Sequence, residues 1–415
     1  MNVAESNALE QLFYSKGWLK ADRAEDCDLA VINTCSVRQS AENRIWGRLG
    51  SYVPLKKKKD IKVVLTGCMA SRLGEDAKKQ APAIDYVVSS NDKMKISQIM
   101  DNPDFEKSSE YEFTTSYYHD GDFSSYVPIM NGCNNFCSYC IVPYVRGRET
   151  SRSVNSILEE VKFLDSKNVK EITLLGQNVN SYSCDGTDFP DLLRKICRVC
   201  NNIRWIRFES PHPKDFSDKL IDVIAQEKRV AKHIHIPMQS GSTRILSLMN
   251  RRYSREQYLG LIERIKKRIP DITFAVDVIV GFPSETEDEF NQTLSALDDV
   301  GYIESYMYYY NPREGTRAFS MPGQIPLEEK QRRLQLLIDR QLEKTAEIKK
   351  NRCFSDQDVL VLSVSRDDKT KMLGRNEHSE MVAFDVAGEA KVGSFVKVDF
   401  ESLNGNTFTG RQVKQ

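Results

Sequence analysis

Three cysteines at spacings of four and three, in Gly132-Cys133-Asn134-Asn135-Phe136-Cys137-Ser138-Tyr139-Cys140, are the sharpest chemical signal in this 415-residue sequence. The flanking Gly and Asn suit a tight loop. Such a loop can wrap three thiolates around one face of an iron–sulfur cube, each binding one iron. The fourth iron then has no protein ligand, and an open coordination position is what a catalytic metal needs. A closed zinc site wants four ligands, and no fourth Cys or His lies close by in the sequence. Two more cysteines directly follow short apolar runs, in Asn33-Thr34-Cys35-Ser36-Val37-Arg38 and Thr66-Gly67-Cys68-Met69-Ala70. Carboxyl ends of parallel strands converge on one crevice, so Cys35 and Cys68 could hold a metal jointly. Standing alone, each would read as a small buried side chain.

The elements that must position these cysteines fall into three regions. Residues 1–105 alternate helix and strand, with Glu5 to Gly17 as a helix carrying Leu9, Leu12 and Phe13. Leu29 to Asn33 and Ile61 to Thr66 read as buried strands, which together suggest a small α/β domain with a parallel sheet. Residues 106–126, rich in Ser, Asp, Tyr and Thr, read as a linker. Residues 127–350 repeat strand then helix, with strands at 171–175, 203–208, 233–236, 273–280 and 306–310 and a helix from Ser254 to Arg268. Successive βα units predict a full or partial barrel with its active site at the carboxyl ends of the strands. Pro326 to Lys350 reads as a charged helix with apolar Leu334, Leu336, Leu337 and Leu342. Residues 351–415 turn to short strands, at 359–364, 381–385 and 394–400, and predict a small β-barrel.

The CxxxCxxC pattern resembles the radical S-adenosylmethionine superfamily. The resemblance implies that the open iron of a 4Fe-4S cluster chelates S-adenosylmethionine, and that one electron then generates a 5′-deoxyadenosyl radical. Tyr139 stands where that superfamily places an aromatic near the adenine. With Cys35, Cys68, Pro143-Tyr-Val-Arg-Gly-Arg148 and Gly281-Phe-Pro-Ser-Glu-Thr286, the whole chain resembles the methylthiotransferase family. Membership would imply a second 4Fe-4S cluster on three cysteines of the first domain, and an RNA-binding closing domain of the TRAM type around Gly374-Arg375-Asn376.

The family's first cluster cysteine lies in a segment like Gly-Cys-Gln-Met-Asn after a first strand. This chain opens at Met1-Asn2, which aligns with the end of that segment, so the first strand and first ligand are expected to be missing. A start assigned too late explains this better than substitution by Cys27, which precedes a strand and points to the wrong end. A truncated protein is the other reading. Leu174 to Asn180 and Ile141 to Gly147 resemble the branch that adds a methylthio group to isopentenyl-modified adenosine beside the tRNA anticodon. Other branches act on threonylcarbamoyl-adenosine or on a ribosomal-protein aspartate, and a degenerate relative kept only for binding is a further alternative.

Gln177, Asn178, His235, Gln239 and Asp277 lie at or near strand ends, with Glu209-Ser-Pro-His212 after another strand. They are candidates for contact with S-adenosylmethionine or the substrate base, or else for satisfying loop backbones. Cys197 and Cys200, spaced to share a helix face, read as packing, and Cys184 and Cys353 have no partner motif. Lys56 to Lys59 reads as a solvated run, and Arg332 to Arg352 as the better placed basic patch for RNA.

Lysine plus arginine and aspartate plus glutamate each number 59, so net charge is zero and gives no global pull toward nucleic acid. A tRNA must therefore be met by local patches. Ten cysteines, no secretory signal and no apolar run of membrane-spanning length point to a cytoplasmic protein without structural disulfides. It is expected to act as a monomer with an external electron donor and sulfur source.

Overall fold

The computed structural model describes residues 1–36, 39–102, 111–113, 115, 118–352 and 354–414. In the first region β1 (Leu29–Thr34), β2 (Lys62–Gly67) and β3 (Tyr86–Val88) form a parallel sheet in that order, with Thr34 opposite Gly67. Alternation along β2 explains why it lies in the middle. Val63 and Leu65 pack on Leu49, Tyr52 and Ile61 on one face, and Val64 packs on Leu9, Val88 and Ile96 on the other. The helix Asn2–Ser15 supplies Leu9, with Leu12 and Phe13 half-buried. The three-residue β3 was too short to stand out in the sequence.

Six parallel strands build the second region: β4 (Ser124–Pro128), β5 (Glu171–Leu175), β6 (Trp205–Phe208), β7 (His233–His235), β8 (Thr273–Val280) and β9 (Glu304–Tyr309). They pair as β6-β5-β4 and β7-β8-β9, and the halves meet beside β6, where Ile206 bridges to Val230. The result is a partial barrel with β4 and β9 as its edges. β4 starts inside the segment expected to be linker, because Ser124, Ser125 and Tyr126 sit in register with Glu171, Ile172 and Thr173. The outer helices begin where their sequences say they should. Ser254 with Gln257 and Thr286 with Glu289 form complete capping boxes.

The helix Leu327–Lys350 corrects one expectation. Leu337 is buried, but Leu336 and Leu342 are exposed, and the buried stripe is otherwise Lys330, Arg333, Gln341, Thr345 and Lys349. The stripe covers the open side of the barrel, where backbone acceptors would go unpaired against leucine. Gln341 Nε2 donates to the Tyr302 carbonyl at 3.0 Å, and Arg333 reaches Glu285 at 2.8 Å.

The last region is a closed barrel of β10 (Gln357–Val364), β11 (Lys371–Arg375), β12 (Met381–Asp385), β13 (Phe395–Asn404) and β14 (Thr407–Gln412), in the order β10-β11-β12-β14-β13. β11 and β14 are additions to the three strands read from sequence. Gly374 is required by packing, since a Cβ there would lie 2.3 Å from Val359 Cγ1. This barrel docks on the amino ends of the partial-barrel strands. Arg207 of β6 binds Glu171 and donates to the carbonyls of Asn376 and Glu377, while Thr273 donates to the His378 carbonyl. The carboxyl ends are left for chemistry. Among the described residues no helix is long and apolar enough to cross a membrane.

Candidate active site at the carboxyl ends of two sheets

The loop Gly132–Cys140 leaves β4 and is fixed from four sides. Gly132 takes φ +80°, and a Cβ there would lie 2.0 Å from the Arg148 carbonyl, so no other residue fits. Its N–H donates to Gln177 Oε1 at 2.6 Å. Ser138 donates through Oγ to the Leu248 carbonyl at 2.8 Å, and its own carbonyl accepts from Ala318 N at 2.7 Å. Asn250 Nδ2 donates to the carbonyls of Asn135 and Phe136, the latter a non-glycine residue at φ +48°. Arg148 lies over the Phe136 ring, 4.4 Å from its centroid.

This frame gathers Cys133 and Cys137, both buried, with the partly exposed Cys140. Burial pushes the Cys140 thiol up to about 12, and the neighbouring Cys137 adds to the rise. Burial likewise raises Cys133, again with a contribution from Cys137. Thiols gathered this closely in a loop with little access to water suit ligation of one shared cation, whose charge offsets that of the thiolates. That donor set fits one face of an iron–sulfur cube.

A cavity of about 620 Å³ opens beside the loop, lined by Tyr139, Cys140, Gln239, Asp277, Tyr308 and Arg313 among others. That volume suits a cofactor-sized ligand. Gln239, at φ +70°, bonds through its backbone to Asp277 and Ile279 of β8, which turns the chain at the end of β7. Asp277 faces His235 Nε2 at 3.0 Å, and Glu209 faces Nδ1 at 3.2 Å. Burial disfavours a charged imidazole, but its interactions as donor with both carboxylates outweigh that cost and raise His235 to about 10. His212, by contrast, is kept neutral by burial and by the nearby Arg251 charge.

Gln177 and Asn178 are turned into the loop scaffold. Gln177 accepts from Gly132, and Asn178 Nδ2 reaches Asp215 at 3.0 Å and Glu149 at 3.4 Å.

The first-domain cysteines face the same region. Gly67, at φ +90°, ends β2 so close to β1 that a Cβ would lie 2.5 Å from the Thr34 carbonyl, and this brings Cys68 beside Cys35. Cys68 is buried against Ile141 and Val145, on or next to the short helix Val142–Arg146 that follows the triad. Burial raises its thiol; Arg146 opposes that rise and Cys35 adds to it. Arg146 also binds Glu5 at 2.8 Å and Asn131 Oδ1 at 3.0 Å, and Glu5 pairs with Lys93 at 2.6 Å. One buried arginine thus touches the first domain, the approach to the triad and the surroundings of Cys68. On the other side Arg313, buried at the cavity wall, lies 3.7 Å from Glu42 and within electrostatic reach of Cys35. Val37 and Arg38 of the motif after β1 fall outside the described residues.

The remaining cysteines lie elsewhere. Cys27 Sγ donates to the Ala24 carbonyl ahead of β1, at the end of the strand away from Cys35. Cys200 lies beyond the helix Phe189–Val199, so it does not share a helix face with Cys197 as the spacing suggested; both are buried in the barrel core. Cys184 is half-buried, and Cys353 is outside the described residues. Within the lysine run, Lys56 pairs with Asp85 at 2.6 Å and Lys59 with Asp28 at 2.9 Å. Sequence reasoning did not single out Arg251, Arg313 or the tyrosines of β9, because a lone Arg or a Tyr-rich strand carries no motif without its neighbours in space.

Residues 127–297 match the radical SAM superfamily, and residues 1–89 match the uncharacterized protein family UPF0004. The chain is 47% identical to the tRNA-2-methylthio-N(6)-dimethylallyladenosine synthase of Treponema denticola, over 98% of this chain and 96% of that protein. It is 41% identical to the protein of the same name in Bacteroides fragilis, over 100% of this chain and 93% of the relative. Among solved structures it is similar to the radical S-adenosylmethionine methyltransferase TsrM of Kitasatospora setae, with a TM-score of 0.58 and 15% identity over 74% of this chain and 70% of that one. The cobalamin-dependent S-adenosylmethionine radical enzyme OxsB gives 0.52 and 11% identity over 81% and 53%. At those identities the likeness speaks for the fold alone.

Proposed function

This chain belongs to the family of the tRNA-2-methylthio-N(6)-dimethylallyladenosine synthases, within the radical SAM superfamily, and from that premise we propose that it is a transferase adding a methylthio group to C2 of isopentenyl-modified adenosine beside the tRNA anticodon. The observation that carries this reading is the juxtaposition of the cysteine triad, the cavity lined by Tyr139 and Asp277, and the Cys35–Cys68 crevice behind the helix Val142–Arg146. Cys133, Cys137 and Cys140 would hold a 4Fe-4S cluster, which together with S-adenosylmethionine would supply the radical chemistry that an unactivated aromatic C–H bond demands.

The protein's part is to hold and orient. Cys133, Cys137 and Cys140 are the ligands, and Tyr139 flanks the adenine of the cofactor. Asp277, anchored by His235, and Gln239 offer polar groups to the cavity. Gln177 and Asn178 serve cofactor binding by bracing the triad loop. Cys35 and Cys68 contribute thiolates toward a second 4Fe-4S cluster. The closing barrel is of the TRAM type and binds tRNA through local patches, since the chain has no net charge. A monomeric, cytoplasmic enzyme served by an external electron donor and sulfur source completes the proposal.

Nucleoside analysis of cells with and without the gene tests it. Loss of the methylthiolated isopentenyl-adenosine, with its precursor accumulating, is expected. A change confined to threonylcarbamoyl-adenosine or to a ribosomal-protein aspartate would reassign the substrate, and no change at all would indicate a binding protein.

A further inference from the structure

We infer that Arg251 sets the electron affinity of the cluster held by the triad, acting as a positioning residue through the sulfur of Cys137. The inference rests on the reading of the triad given above. Arg251 is only 5% exposed. Its Nη1 lies 3.4 Å from Cys137 Sγ, its Nε donates to Tyr253 Oη at 3.0 Å, and its Nη2 donates to the Pro237 carbonyl at 3.2 Å. Tyr253 Oη in turn lies 2.9 Å from the Met238 carbonyl. The planar fork is therefore locked, and one of its N–H groups is committed to a ligand sulfur.

The backbone that carries Arg251 is specialised for the same loop. Asn250 and Arg252, on either side, both take left-handed φ, +58° and +59°. Such strain persists where the surroundings enforce it, commonly at functional sites. Asn250 clasps the carbonyls of Asn135 and Phe136, so one tripeptide grips the triad loop and aims a cation at its central sulfur. Hydrogen bonds to cluster sulfurs, local charge and burial all tune reduction potential. A buried guanidinium is weakly screened and stabilises the more negative, reduced state. His212, whose ring packs against that of Tyr253, is kept neutral by burial and so does not duplicate this charge.

The test is an EPR-monitored potentiometric titration of the full chain carrying Cys35→Ala and Cys68→Ala, so that only the triad cluster titrates. In that background Arg251→Met should lower the midpoint, cutting the ratio of reduced to oxidised cluster at the parent's midpoint on the order of tenfold, which corresponds to about 59 mV for one electron. Arg251→Lys, which keeps the charge and loses the fork, should shift it less in the same direction. An unchanged midpoint in Arg251→Met with full iron content overturns the inference, and so does weaker S-adenosylmethionine binding without a shift. If Arg251→Met cannot retain iron, Arg251→Lys decides by the same criterion. A parent protein that forms no reducible cluster would instead overturn the reading of the triad itself.

Discussion

The two sets of cysteines reach the same crevice by different routes. Cys133, Cys137 and Cys140 lie within eight residues on one loop, which the left-handed φ of Gly132 and Phe136 bends. Cys35 and Cys68 are separated by a helix and a strand, and they meet only because β1 and β2 run parallel in register. The first set needs a loop, the second a whole sheet. The loop should therefore tolerate damage to the first domain, whereas the pair should not survive loss of its fold. The two sets also serve different stages of the proposed reaction, so they should fail in different ways.

The largest effect is expected at the triad. Replacing Cys133, Cys137 and Cys140 together by Ala should abolish S-adenosylmethionine cleavage under reducing conditions and remove the iron bound there. Undiminished 5′-deoxyadenosine formation would end the assignment. Next in size, Cys35→Ser or Cys68→Ser should leave 5′-deoxyadenosine formation largely intact while methylthiolated adenosine disappears. Equal loss of both products would show that the two sets do not work separately.

A third change attacks the bridge between them. Arg146→Met leaves the fully buried Glu5 with Lys93, whose pKa burial has already lowered to about 8. Because Lys93 stays beside Glu5, losing the arginine's charge-assisted bonds should cost about 1.5–3 kcal/mol. The loss should appear in the first unfolding transition in denaturant, before any change in the core of the barrel. A cost near zero would mean that the first domain does not lean on this arginine.

The same contrast explains what could be read from sequence. The triad, the βα alternation and both strand-end cysteines were legible because their signal is local: spacing, period and a glycine beside a cysteine. The polar face of the helix Leu327–Lys350 was not, since Leu334, Leu336, Leu337 and Leu342 imitate an apolar stripe while the surface it covers presents the Tyr302 carbonyl. Arg251 was equally invisible, because its partner Cys137 lies 114 residues away in the chain. Gln177 was found for its place after a strand, yet its contact with Gly132 could only be seen once the loop was folded. Local chemistry shows in a sequence; the groups that support it from a distance do not.

A fourth prediction turns to the amino-terminal rim, opposite the cysteines. A chain ending near Arg352 should still cleave S-adenosylmethionine but bind tRNA more weakly, with a shallower salt dependence as phosphate contacts are lost. It should also be less stable, because Arg207 would lose the carbonyls of Asn376 and Glu377. Unchanged tRNA affinity would remove the closing barrel from the RNA-binding surface.

The smallest expected effect concerns His235, which sits inside the barrel between Asp277 and Glu209. Its pKa in the folded protein is raised to about 10, because the ring's interactions as donor with Asp277 and Glu209 outweigh the opposing cost of burial. In the unfolded chain it should titrate near the ordinary value of about 6.5. A raised folded value means that the charged ring stabilises the fold fully below about 6.5, and that this contribution is lost as pH rises through about 10. His235→Gln keeps a neutral hydrogen-bonding side chain and removes the charge. The variant should therefore melt below the parent at neutral pH, and the gap should narrow as pH approaches about 10. NMR of the ring should show an imidazolium throughout the neutral range. A gap in melting temperature that stays constant across this range would mean that Asp277 is held in the cavity by packing, and that the charge on His235 contributes nothing to holding it.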